Sequence, residues 1–110
     1  VKTYPASYEP VIAVGAMDWA FRPSYYTDYG TWVDITAPGG DLYTAPSGSY
    51  NGYYLDAEIL STILCDDTMI FRDGRKSDPS WYGYGFMQGT SMACPHVSGV
   101  AALGLSYALA

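Results

Sequence analysis

Basic residues are scarce. Five Lys and Arg stand against eleven Asp and Glu, a net charge of −6 over 110 residues. Such a balance gives no electrostatic attraction to DNA, RNA or an anionic membrane surface, and no Lys/Arg cluster overrides it. Nucleic acid is therefore not an expected partner. Histidine occurs once and cysteine twice, too few for a disulfide-stapled scaffold or a four-ligand zinc site. Charged residues make up only 15% against 49% hydrophobic, a globular composition rather than that of a disordered tail. No basic segment followed by an apolar one opens the chain, so no signal peptide is expected within it, and it reads as an excerpt of a longer gene product. Its length suits one domain of ordinary size and not two.

Aromatic residues, by contrast, are plentiful, with twelve Tyr, three Trp and three Phe. From Pro79 to Ala110 there is no Asp, Glu, Lys or Arg at all. A helix apolar all round is buried on every side or lies in a membrane. The run from Val97 to Ala110 falls short of the roughly 20 residues that a bilayer span needs, and Pro95 and His96 interrupt a backward extension. No membrane span is expected. The reading is a buried central helix from about Ser91 to the end, with small residues (Ala93, Gly99, Ala102, Gly104) where neighbours approach. A core of that kind favours a larger parent fold.

Upstream, Val11 to Ala16 is a continuous apolar run of the buried parallel-strand type. Trp32 to Thr36 alternates and ends at Ala37-Pro38-Gly39-Gly40, a strand followed by a loop. Asn51-Gly52 between tyrosines signals a hairpin, and Asp73-Gly74 a turn. Ile59 to Leu64 is a further strand, and Tyr82 to Phe86 reads as a glycine-aromatic loop.

The segment with chemical content is Gly89-Thr90-Ser91-Met92-Ala93-Cys94-Pro95-His96-Val97-Ser98-Gly99-Val100-Ala101-Ala102-Leu103. Gly89 permits a backbone bend that a Cβ would obstruct. Ser91 falls where loop becomes helix, among backbone N–H groups left unpaired and at the positive end of the helix dipole. A serine placed there can attack a carbonyl while its own N–H stabilises the oxyanion. Pro95 lies near the first turn, where a missing N–H costs little. For the single position alone, an N-cap serine is the commoner role.

The whole string resembles the nucleophile box of the subtilases, the subtilisin-like serine proteases. It is not the nucleophile elbow of α/β-hydrolases, because Gly89-Thr90-Ser91-Met92-Ala93 lacks the second glycine. Tyr4-Pro5-Ala6-Ser7-Tyr8 with Val11 to Ala16 resembles the family's strand after the oxyanion asparagine. Asp34-Ile35-Thr36-Ala37-Pro38-Gly39 resembles its Asp-x-x-Ala-Pro-Gly strand end, and Ile59-Leu60-Ser61-Thr62 its next strand. The resemblance covers residues 1–110 as one partial catalytic domain, with an insertion at about 41–84. It implies an α/β fold, the C-terminal portion of a three-layer α/β/α sandwich with parallel strands and a buried central helix.

The resemblance further implies that Ser91 is the nucleophile and a backbone oxyanion donor, acting on peptide or protein substrates through an acyl-enzyme. The family's Asp, His and oxyanion Asn motifs precede the segment matched here, so the remainder of the protease is an implied partner. His96 is not the missing base. Five residues along a helix turn it about 140° from Ser91, and the family's histidine there is structural, a hydrogen-bonded core residue. Gln88 departs from the Asn or Ser that many relatives carry. Secretion or a periplasmic location is implied, and no cofactor is required.

Asp34, with the carbonyls of Ala6, Tyr8 and Val11, matches a weak calcium or monovalent-cation site of some subtilases. The plainer role for Asp34 is capping loop amides, and it is preferred. Asp66, Asp67, Asp73 and Asp78 read as solvated turn residues. Cys65 and Cys94 have a spacing that decides nothing about pairing, and Cys94 reads as a small buried hydrophobe. Two functions are weighed: a subtilisin-type serine endopeptidase, inactive as an isolated chain, and an inactive truncated module that binds or assembles. Apolar faces left open in the isolated chain would make it a homo-oligomer.

Overall fold

The computed structural model describes residues 2–44, 57–63 and 83–110. The expected features at Asn51-Gly52, Leu64, Cys65, Asp66, Asp67, Asp73-Gly74, Asp78 and Tyr82 lie outside the described residues. Along the chain run β1 (Val14–Met17), β2 (Ile35–Pro38), β3 (Ile59–Thr62), β4 (Tyr84–Met87) and α1 (Thr90–Leu109). β1 and β2 pair in parallel, with Val14 opposite Ile35 and Ala16 opposite Ala37. β3 and β4 pair antiparallel, with Ile59 opposite Met87 and Thr62 opposite Tyr84. The helix packs on β1 and β2. The fold class is therefore α/β, a parallel sheet with a C-terminal helix against it.

Both parallel strands start later than the apolar pattern suggests, and Asp34 is the reason. Its Oδ2 accepts the Ala13 amide at 2.8 Å, and its own amide donates to the Ala13 carbonyl at 2.9 Å. A side chain that takes a ladder donor replaces strand pairing at that position. Regular pairing therefore begins one residue further on each strand. Tyr84 to Phe86, expected within a loop, form strand β4 together with Met87. Alternating aromatic and small residues suit a pleated surface, and Ile63 closes the pairing by donating to the Gly83 carbonyl.

The core is small. Ala16, Ala37 and Ala93 form its buried cluster, with Val14, Tyr26 and Val97 packed around them. Alanines on sheet and helix let the two layers approach closely. The remainder of α1 corrects the expectation of a buried helix. Ala93 is its one buried residue, while Val100 is 69% exposed and Leu103 73% exposed. A Cβ added at Gly99 or Gly104 would meet nothing within 4 Å, so these small residues face open space rather than a close neighbour. Cys94 and His96 are exposed too, not in a core. The helix also runs straight through Pro95 and His96. At 20 residues and mean hydropathy 1.3 over its most apolar window, it is long and apolar enough to cross a membrane by length and composition. The length argument against a span therefore fails.

After β1 the chain reverses through a turn built on Asp18, which is buried. Oδ1 accepts the amides of Ala20 at 2.8 Å and Arg22 at 2.9 Å, and Oδ2 meets Arg22 Nε at 3.0 Å. Burial pushes the carboxyl up, but the Arg22 and Ala20 amides and the Arg22 guanidinium outweigh it and hold it below the ordinary carboxylate value. A carboxyl with a depressed folded pKa contributes stability above its unfolded pKa, about 3.9, and loses it as pH falls through the folded value. Replacing Asp18→Asn is thus expected to cost about 1–3 kcal/mol at pH 7, the scale of a lost buried charged hydrogen bond. Thermal melts of the two proteins should converge as pH drops below about 4; parallel curves down to the acid limit would exclude this role for Asp18.

Candidate active site

The junction of β4 and α1 sits on the end of β2. Gly89 donates its N–H to the Gly39 carbonyl at 2.9 Å. A Cβ built at Gly39 would lie 2.5 Å from Ala16 Cβ and 2.8 Å from the Gly89 oxygen, inside any tolerable contact. Glycine at position 39 therefore sets how closely the helix start approaches the sheet. Gly89 has φ 150° and ψ 165°, a region that side chains other than hydrogen rarely enter. Its nearest neighbours to an added Cβ are 3.5 Å away or more. The need for glycine there is conformational rather than a matter of crowding.

Gly89 is also the N-cap residue, and no side chain caps the helix. Ser91 is the second helical residue and so is not the cap. Its side chain is exposed and makes no hydrogen bond among the described residues. Met92 and Ala93 both donate to the Gly89 carbonyl, whereas the Ser91 amide finds no acceptor among the described residues. An unpaired N–H in the first turn, at the positive end of the helix dipole, suits a developing negative charge. Hydroxyl and free amide on one residue are the two parts that acyl transfer at a serine uses.

Pro95 is further along than the sequence suggests. It is the sixth helical residue, inside α1, and it has no N–H to return to the Ser91 carbonyl four residues back. Beside it, His96 Nδ1 lies 2.8 Å from the Met92 carbonyl oxygen. A carbonyl only accepts, so Nδ1 carries a proton there. A cleft of about 370 Å³ opens between β3 and the first turns of α1, bordered by Ile59, Ser61, Met87, Ser91, Met92 and His96. Ser91 and His96 thus touch one cavity, yet no hydrogen bond joins them.

The loop after β2 is held from several sides. Tyr26 Oη lies 2.8 Å from the Gly39 oxygen and 2.7 Å from that of Gly40. Burial pushes its hydroxyl above the usual tyrosine value, so it remains a proton donor. Ser24 Oγ donates to the Gly40 carbonyl at 2.9 Å. Asp41, buried, accepts the amides of Tyr25 and Tyr43, each at 3.1 Å. The Gln88 amide joins this loop to the helix start: Oε1 accepts from Leu42 N–H and Nε2 donates to Tyr25 Oη, each at 2.9 Å. Nothing in the local sequence marks Tyr26, Ser24 or Asp41. Only their tertiary partners distinguish them.

Among the described residues no cluster of three or more His, Cys, Asp or Glu side chains is placed to hold a metal ion. The Asp34 carboxylate caps the Ala13 amide, and the Tyr8 carbonyl accepts from Val11 N–H.

The family model described as the subtilase family matches residues 2–109. The chain is 42% identical over 99 residues to the "Thermophilic serine proteinase" of Bacillus sp. (strain AK1), covering 90% of this chain and 16% of that protein. It is 36% identical over 107 residues to the "Extracellular basic protease" of Dichelobacter nodosus, covering 97% and 13%. With "Subtilisin DY" of Bacillus licheniformis it shares 33% identity over 104 residues, covering 94% and 26%. The chain thus spans about a quarter or less of the length of these relatives. No solved structure matches significantly.

Substituting Gly39→Ala is expected to cost about 1–3 kcal/mol of stability, the usual scale of overpacking. The added methyl would press on Ala16, the Gly89 carbonyl and the Tyr26 hydroxyl, so the accessibility of the Ser91 region should change with it. Amide hydrogen exchange read over residues 89–93 checks this. Unaltered protection there, with an unaltered thermal midpoint, would contradict the close approach at Gly39.

Proposed function

Since this chain belongs to the subtilase family, we propose that it forms the nucleophile-bearing part of a subtilisin-type serine endopeptidase. Ser91 Oγ attacks the carbonyl carbon of a peptide bond. The Ser91 amide stabilises the oxyanion, the leaving amine departs with a proton, and water hydrolyses the acyl-enzyme. The observation that carries the reading is the state of Ser91: past the cap, exposed, with hydroxyl and amide both uncommitted among the described residues. The adjoining cleft offers room for part of a peptide substrate.

A serine hydroxyl needs a base at neutral pH. His96 does not supply it in this reading: five residues along α1 turn it about 140° from Ser91, and no hydrogen bond joins the two among the described residues. The His and its Asp partner, and the asparagine that completes the oxyanion hole, come from protein outside this chain. The reaction needs no cofactor. A weak cation beside Asp34, with the carbonyls of Ala6, Tyr8 and Val11, is a lesser proposal that the capping role of Asp34 disfavours. Secretion is proposed from the kind of relatives matched, one of which is named an extracellular protease. Because the family match runs through α1, the helix is read as a core element of the larger domain rather than a membrane span.

The exposed apolar residues of α1 favour a second reading for the chain on its own. Val100, Leu103, Leu105, Tyr107 and Leu109 are all more than 60% exposed, and such a surface drives association. An inactive truncated module that binds or assembles would use it.

An active-site serine phosphonate separates these readings. The full gene product is expected to label stoichiometrically at Ser91, and Ser91→Ala not to label. The isolated 110-residue chain should remain unlabelled over the same period, because removing triad partners leaves only residual rate. Rapid labelling of the isolated chain would show a base within it; no labelling of the full product would leave the assembly reading. Light scattering on the eluted isolated chain should give a dimer or larger species, and a monomer with a cooperative thermal transition would count against association.

A further inference from the structure

Gln88 is three residues before Ser91, and its side chain spans two elements that are far apart in sequence. Oε1 takes the Leu42 amide and Nε2 gives to the Tyr25 hydroxyl. Leu42 is buried, and the Tyr25 ring lies edge-on to both Tyr26 and Tyr43. Tyr26 in turn holds the Gly39 and Gly40 carbonyls, and Gly39 receives the Gly89 amide. Gln88 thus closes a circuit from the nucleophile turn, through the tyrosines and the loop after β2, back to that turn.

The need for such a clamp follows from Gly89. It has no side chain, no side chain caps the helix, and its backbone occupies a conformation open mainly to glycine. Glycine has more conformational freedom to lose than any other residue, so the angle at which α1 leaves β4 is set by what surrounds the turn. On the helix side the Met92 and Ala93 amides bind the Gly89 carbonyl, and α1 packs on β1 and β2. On the strand side the ties are the Gly89 amide on the Gly39 carbonyl and the two hydrogen bonds of the Gln88 side chain.

Accepting Ser91 as the nucleophile, we infer that Gln88 is a positioning residue for it, with its amide locking the Gly89 hinge so that the Ser91 hydroxyl and N–H keep a fixed aim. The role is one of orientation, not of contact with substrate. Misplacement of a reacting group by about 1 Å costs on the order of a hundred-fold in rate, so a hinge loosened by less should still be visible in turnover.

The test uses the full gene product, with Ser91 titrated by the phosphonate so that rates are expressed per competent site. Gln88→Met keeps length and volume but removes both hydrogen bonds. It is expected to lower kcat about ten-fold or more with KM changed less than about two-fold, as for loss of orientation rather than of binding. Tyr25→Phe removes only the acceptor of Nε2, on a residue that is itself 60% exposed, and should fold normally with kcat down by about two- to five-fold, the scale of one neutral hydrogen bond. Gln88→Met and Tyr25→Phe together should lose no more than Gln88→Met alone. A merely structural role would reduce the titratable fraction and the thermal midpoint while kcat per titrated site stayed at the wild-type value; that result overturns the inference. If wild type itself does not label, the catalytic reading and this one fall together. If wild type labels and both variants turn over normally, only this one falls.

Discussion

One backbone hydrogen bond, from Gly89 N–H to the Gly39 carbonyl, joins the helix start to the end of the parallel sheet. It forms only because three alanines and a glycine let the layers close. Ala16, Ala37 and Ala93 carry the least side chain that still excludes water, and Gly39 carries none. A larger residue at any of these positions would separate α1 from β2, and the Ser91 amide would then be set by the helix alone. What surrounds the contact reinforces it. Tyr26 and Ser24 hold the two glycine carbonyls, and Asp41 gathers the amides on either side.

The same economy leaves the chain short of apolar burial. No large side chain among the described residues is fully buried, and much of α1 lies open. A helix without a single charged residue normally has neighbours on all sides. Here it touches β1 and β2 near its N-terminal end, and its C-terminal half has no such cover. The precision of the nucleophile turn and the bareness of the helix behind it belong together. The first depends on contacts between distant residues of the chain, whereas the second is an apolar surface that includes Val100, Leu103 and Leu109.

Much of this was legible in the residues. The parallel strands, the helix from the Gly-Thr-Ser turn and the family itself followed from apolar runs and from the string around Ser91, because these signals are local. Other features were misread where a side chain overrode a local preference. Asp34 took an amide that a strand would have used, so pairing began late. Tyr84 to Phe86 read as part of a loop, because only the partner strand β3 makes them a strand. Pro95 and His96 read as interrupting any membrane-length apolar run, yet α1 continues through both.

What the sequence by itself determined, then, is chemical identity: a serine at a glycine-led helix start, a single histidine, and an excess of acidic over basic residues. Those properties reside in residue types and short spacings. Only the tertiary structure decided that Ser91 lies past the cap with its amide free, and that Gln88 reaches Leu42 and Tyr25 across 46 and 63 residues of chain. It also decided that the absence of a side chain at Gly39 is what seats Gly89. These are consequences of which distant backbones touch, and contact between distant segments is set by packing that no local pattern encodes.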